Sequence, residues 1–186
     1  MPNWCNNELT LSHPDKAMID RAIKAWNTGN FLQEFIPVPE DLINTVEGFL
    51  GDGDEQKALK LKQQNNLKKY GYKTWYDFCV NEWGTKWDIG KSNEYDNEPN
   101  RISDNEFHVY FDSAWSPPTN AYQRLEDMGF EVLAYYYEGG MGFYGQYNDG
   151  NDECYQATSV KDIPAEYCEM FNIEEDRKST RLNSSH

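Results

Sequence analysis

The chain has 186 residues, a formal net charge of −15 and an aromatic content of 15%. That length suits one domain with a sizeable core, and the acidity argues against nonspecific phosphate binding, which needs clustered Lys and Arg. No run is long and apolar enough to cross a bilayer, and Met1-Pro2-Asn3-Trp4 lacks the basic, apolar pattern of a signal peptide, so a cytoplasmic location is expected.

Residues 4–12 alternate, with Cys5, Asn7, Leu9 and Leu11 on one side, and read as a strand. Ser12 and Pro14 then open a helix whose apolar stripe is Ile19, Ala22, Ile23 and Trp26. Asn27-Thr28-Gly29-Asn30 stops it. Within 31–42, the prolines keep Phe35-Ile36-Pro37-Val38-Pro39-Glu40 extended. Residues 44–71 are more polar, with Gly51-Asp52-Gly53-Asp54 as a flexible centre and a helix expected over 55–69. An insertion of about 31–72, partly helical, is expected to leave the core.

The stretch from Thr74 to Trp87 holds three of the six tryptophans. Thr74 is placed to cap a helix, with Asp77 three residues on. Tyr76, Cys79, Val80 and Trp83 form its stripe, Trp75 and Phe78 widen it, and Asp77, Asn81 and Glu82 are left for water. Gly84 ends the helix where a left-handed residue costs least, and 85–89 reads as a short strand. Residues 90–104 read as a polar loop.

Residues 106–115 alternate again, Phe107, Val109 and Phe111 one way and His108, Tyr110 and Asp112 the other. Ser116-Pro117-Pro118 breaks that strand, with Ser116 as cap of a helix through Ala121, Leu125 and Met128 that Gly129 ends. An aromatic strand over 130–138, a Gly139-Gly140 turn, a return strand over 142–147, a hairpin turn at Asn148-Asp149-Gly150 and a last strand over 153–158 complete the pattern. Two strand–helix–strand units of this order give an α+β, ferredoxin-like split βαβ sheet, with helices on one face, the other partly open, and a C-terminal β-hairpin. Residues 1–175 are expected to form this one domain.

Certain segments occur together in a recognisable way: Met1-Pro2-Asn3-Trp4-Cys5-Asn6-Asn7, Phe35-Ile36-Pro37-Val38-Pro39, Tyr70-Gly71-Tyr72-Lys73-Thr74-Trp75-Tyr76 and Trp83-Gly84-Thr85-Lys86-Trp87-Asp88. With them go Phe111-Asp112-Ser113-Ala114-Trp115-Ser116-Pro117-Pro118 and Glu138-Gly139-Gly140. Over nearly all of residues 1–160 the chain resembles the YubB-like, phage- and plasmid-encoded family with a ferredoxin-like domain, which usually has threonine where this chain has Ser113. The resemblance implies that fold, a mobile-element origin and a bacterial host, and it brings no activity or site residues with it. Asp176-Arg177-Lys178-Ser179-Thr180-Arg181-Leu182-Asn183-Ser184-Ser185-His186 resembles one reading frame of a sequencing adapter, so 176–186 are expected not to be native. Those residues carry three bases and one acid, a charge of +2, and without them the net charge is −17 over 175 residues.

Chemistry-bearing residues are few. Cys5, Cys79, Cys154 and Cys168 are too scattered for a zinc or redox motif, and free, mostly buried thiols are expected. His13 and His108 form no ligand pair, Asp149, Asn151, Asp152 and Glu153 lack the spacing of a calcium loop, and no phosphate-cradling glycine loop is present. No metal, cofactor or catalytic set is therefore expected. The binding candidates are Trp83, Lys86, Trp87, Trp115 and Glu138. Lys86 between two indoles can hold an anion or a sugar; the competing expectation is that Trp83 and Trp87 pack the helix to the sheet while Lys86 snorkels past them. Glu138 is an isolated carboxylate without a general acid/base partner.

Three functions fit these residues. The first is a non-enzymatic phage or plasmid accessory protein that binds a host protein, such as a defence or regulatory factor. Its acidic runs at 52–55, 94–98 and 149–153 could imitate a phosphate track. The second is single-stranded nucleic-acid binding, with bases stacked on Tyr110, Tyr135 and Tyr137. The third is a small-molecule or sugar-acting enzyme built on the tryptophans and Glu138. The oligomeric state is left open.

Overall fold

A computed structural model of the chain describes residues 1–173; the expected adapter-derived stretch 176–186 lies outside them. The first strand, β1 (Trp4–Ser12), buries Cys5, Asn7, Leu9 and Leu11 as its alternation predicts. Helix α1 (Lys16–Asn27) is capped by Asp15, whose carboxylate accepts from the Ala17 N–H, rather than opened by Ser12 and Pro14. Ser12 instead ends β1, and α1 buries Ile19, Ala22, Ala25 and Trp26. Two short helices follow, α2 (Phe31–Phe35) and α3 (Glu40–Ile43). Their Phe31, Leu32, Phe35 and Leu42 are buried in the main core, so the first part of the expected insertion belongs to the core. Helix α4 (Asp54–Tyr70) is mostly exposed, with Leu59 and Asn66 as its buried residues.

Helix α5 (Trp75–Phe78) is capped by Thr74, which accepts from the Asp77 N–H at 3.3 Å. It widens into a π turn, Cys79–Trp83, closed by the Gly84 N–H donating to the Cys79 carbonyl at 3.2 Å. That i→i+5 step rotates the stripe. Phe78, Cys79 and Trp83 stay buried, while Tyr76 and Val80, expected inside, face water. Gly84 adopts φ +83, as its place at the helix end requires.

Residues 85–89 form no strand. Their polar groups are met by side chains and by α2: Asp88 accepts from the N–H groups of Leu32, Gln33 and Ile89, and the Ile89 carbonyl accepts from Phe31. The second strand lies later, within the segment read as a loop. It is β2 (Asn100–Ser103), exposed at all four positions and bulged, so it carries no periodic apolar signal.

Strand β3 (Glu106–Ala114) buries Phe107, Val109 and Phe111. Helix α6 (Thr119–Asp127) starts from Pro118 with no side-chain cap; Ser116, expected there, donates its hydroxyl to the Gly84 carbonyl. Strands β4 (Glu131–Glu138), β5 (Phe143–Asn148) and β6 (Asn151–Gln156) end the sheet, and the β5–β6 turn has positive φ at Asp149 and Gly150, as a two-residue hairpin turn needs.

The sheet is antiparallel throughout, in the order β2-β3-β1-β4-β5-β6. Its first four strands have the order expected of a split βαβ arrangement, and β5–β6 extend it past β4. On the inner face α1, α2, α5 and α6 enclose one core centred on Trp26, whose ring meets Phe31 at 5.4 Å and Phe111 at 5.2 Å. Each fully buried large side chain there contributes about 1.5–3 kcal/mol of transfer free energy. The outer face is not free of helices. A last helix, α7 (Ala165–Met170), lies against β4 and β5, where Ile163, Tyr167 and Ile173 form a second cluster with Tyr135, Tyr137, Tyr144 and Phe171.

A candidate binding cleft at one end of the sheet

The Trp83–Trp87 turn is anchored to the end of β3 from several directions. The Thr85 hydroxyl donates to the Ala114 carbonyl at 2.9 Å, Ser116 bonds Gly84, and the Ser113 hydroxyl donates to the Ser116 carbonyl at 2.7 Å. Gly84 sits so close to the start of α6 that a Cβ would meet the Asn120 N at 3.2 Å and the Thr119 N at 3.3 Å. Trp115, inside this network, has a φ of +70, and a bulky side chain keeps such a conformation only where its surroundings enforce it.

The anchoring separates the five candidates. Trp83 is 4% exposed and donates its indole N–H to the Ile36 carbonyl at 2.9 Å, so it is core. Glu138 is 1% exposed, and its two carboxylate oxygens accept from the Gly140 and Met141 N–H groups at 2.7 Å each. It shapes the turn and presents nothing to a ligand. Trp87 and Trp115 are 40% and 51% exposed, contrary to the expectation that Trp87 packs helix to sheet. Lys86 lies over the Trp87 ring at 4.8 Å and the Tyr76 ring at 5.9 Å, as a snorkelling lysine would.

Trp4, not singled out from sequence, completes the patch: it is 47% exposed and its ring lies 6.0 Å from that of Trp87. Between them opens a cleft of about 460 Å³, within the range of small-ligand sites. Its far wall is Tyr95. Strand β2 begins at Asn100, opposite His108, and residues 91–98, which precede it, run beside the uncovered end of β3. Buried Asn97 holds that loop, donating to the Gly90 carbonyl, accepting from the Ser92 N–H, and giving its own carbonyl to the Trp26 indole. The Tyr95 hydroxyl accepts from the Asp112 N–H at 3.1 Å.

Three carboxylates line the cleft: Asp88, Glu94 and Asp112. Burial pushes Asp88 up from its ordinary value, and the three backbone N–H groups that it accepts pull the other way. Burial likewise raises Asp112, against one hydrogen bond from the Asn6 amide to Oδ1 at 2.7 Å. Lys91, also at the cleft, is ion-paired with Glu98. Lys86 lines a separate apolar recess on the other side of Trp87, with Val38, Ile43 and Trp75.

The signal for Trp4 was in the parity of its strand, since it stands on the outward alternation, where a tryptophan is unusual; Asp112 stands there too, where an acid is ordinary. Tyr95 had no such signal, because it is placed by a loop. On the same outer face His108 Nε2 lies 2.7 Å from Glu8 Oε1, a pairing across two strands that spacing along the chain does not reveal. Among the described residues no group of three or more His, Cys, Asp or Glu is placed to hold a metal ion, and no helix is long and apolar enough to cross a membrane. Cys5 and Cys79 are buried, Cys168 is half-buried with its thiol donating to the Ile163 carbonyl at 3.8 Å, and Cys154 is exposed.

No protein-family model matches the chain, and no curated protein matches it. Among solved structures it is similar to the crystal structure of protein api92 from Yersinia pseudotuberculosis, of the family model DUF1281. The TM-score is 0.43 at 12% sequence identity, over 86% of this chain and 99% of that one.

Proposed function

We propose that this chain is a non-enzymatic accessory protein of a phage or plasmid, acting in the cytoplasm of its bacterial host by binding a host protein through the Trp4–Trp87–Trp115 end of the sheet. One observation carries the reading: three tryptophans, each 40–51% exposed, gathered where β1 begins and β3 ends. A half-exposed tryptophan forfeits burial that the fold would otherwise gain, and tryptophan is enriched among residues that dominate protein interfaces. The motif resemblance supports the mobile-element setting, and the net charge of −15 favours a basic partner.

The nucleic-acid alternative loses most of its stacking platform. Tyr135 packs against Tyr167 and Tyr137 stacks on Phe171, so of the three expected tyrosines only Tyr110 is well exposed. The enzyme alternative loses Glu138 to its turn. A pull-down from bacterial lysate, comparing the wild type with a Trp87→Ala/Trp115→Ala double variant of matched melting temperature, tests the proposal. The wild type should retain a host protein and the double variant should release it. Retention of nothing, or equal retention by the two proteins, sinks the reading; micromolar binding to random single-stranded DNA at about 50 mM salt would promote the nucleic-acid alternative.

A further inference from the structure

The structure assigns the cleft between Trp4, Trp87 and Tyr95 to an arginine side chain of the partner, its guanidinium stacked on an indole and hydrogen-bonded to the Asp112 carboxylate. The inference rests on the host-protein reading above and names what that partner must present. Aromatic faces attract a cation through their electron-rich π surface, and tryptophan does so most strongly. The carboxylates supply the complementary charge. Asp88 is committed to three backbone N–H groups, whereas Asp112 holds one hydrogen bond from Asn6, at Oδ1. Among the described residues its Oδ2 has no hydrogen bond, and no Lys or Arg is ion-paired with Asp112. The lysine at the cleft, Lys91, is occupied by Glu98, and Lys86 serves the recess behind Trp87. A half-buried carboxylate beside aromatic walls, with a lone pair left over, is an acceptor set for an incoming donor cation. Arginine fits it better than lysine. Its planar guanidinium stacks and donates at once, and it sheds water more readily than an ammonium. The cleft's 460 Å³ admits that side chain with its flanking backbone.

Calorimetric titration of the full chain with acetyl-Gly-Arg-Gly-amide at about 50 mM salt tests this, beside the citrulline and lysine counterparts. Citrulline keeps the shape of arginine and loses the charge. The arginine peptide should bind, the citrulline peptide about tenfold more weakly or not at all, and the lysine peptide between them. Asp112→Asn should weaken the arginine peptide about tenfold and Trp87→Leu about fivefold, while Leu61→Ala, on the exposed side of α4, should leave it unchanged. Should Asp112→Asn fail to fold, the citrulline comparison and Trp87→Leu decide. Equal binding of arginine and citrulline peptides, or no saturable heat at about 10 mM peptide, overturns the assignment. A host protein captured by the wild type, lost in Trp115→Ala and indifferent to Asp112→Asn, overturns it too while leaving the host-protein reading intact. Arginine-peptide binding with no host protein retained upholds the cleft and sinks that reading instead.

Discussion

The outer face of the sheet has two halves with the same kind of residue and opposite fates. On β4 and β5, the outward Tyr135, Tyr137 and Tyr144 are covered by α7 and its flanks. On β1 and β3, the outward Trp4 and Tyr110 follow the same alternation, and each stays 47% exposed. Strand periodicity thus sorts side chains between faces and says nothing about whether a later segment returns to cover one. Burial on the outer face is decided by residues 157–173, far along the chain from the strands they cover.

The first test sets the scale for a fully enclosed ring. Trp83→Ala on the inner face should cost about 3–5 kcal/mol in urea unfolding, because a cavity replaces the indole and the Ile36 carbonyl loses its donor. A cost below about 1 kcal/mol would mean that the turn is held by its hydrogen bonds and not by the ring.

A sharper contrast comes from one residue in each half of the outer face. Tyr167→Ala should cost about 2–4 kcal/mol, with faster amide exchange confined to β5, β6 and α7. Tyr110→Ala, on the open half, should stay within about 1 kcal/mol. Equal costs would erase the difference between the halves.

The smallest expected effect is a pH dependence in the covering segment. Hydrogen bonds from the Thr158 hydroxyl and the Ser159 N–H hold the Asp162 carboxyl below its ordinary value of 3.8. A carboxyl depressed by folding stabilises the native state above its unfolded value, and that contribution disappears as pH falls through the folded value. The stability gap between wild type and Asp162→Ala should therefore be present at neutral pH and close below pH 3.8. A gap that widened on acidification would show that Asp162 acts by another route.

The fold was legible wherever a regular period met a single environment. β1, β3, α1 and the terminal hairpin were readable because one side of each is apolar and the other is not. β2 was not, since all four of its residues are exposed and its pairing rests on backbone alone. Residues 85–89 carried β-favouring types, yet Asp88 and Thr85 divert their hydrogen bonding into α2 and β3. Tyr76 and Val80 were misplaced by a π turn, a single extra residue in the helical ladder that no composition announces. Of the candidates named from the motifs, Trp87 and Trp115 are exposed and Lys86 lies over the Trp87 ring. Trp83 and Glu138 belong to the same motifs and proved internal. A motif marks a region where side chains are closely specified; whether the reason is packing or recognition depends on which way each points.

The open ends of the sheet bear on how the protein behaves at high concentration. β6 pairs with β5 on one side, no described strand pairs with its other edge, and all six of its residues are exposed, Asp152 and Glu153 among them. β2, at the opposite edge, is short and interrupted by a bulge. Short, bulged or charged borders are what keep one sheet from adding to another. Repulsion between copies of the acidic border opposes the approach of a neighbouring strand to the backbone of β6. Asp152 and Glu153 thus guard the sheet against growth by a second copy, a duty that their place in a hairpin does not suggest.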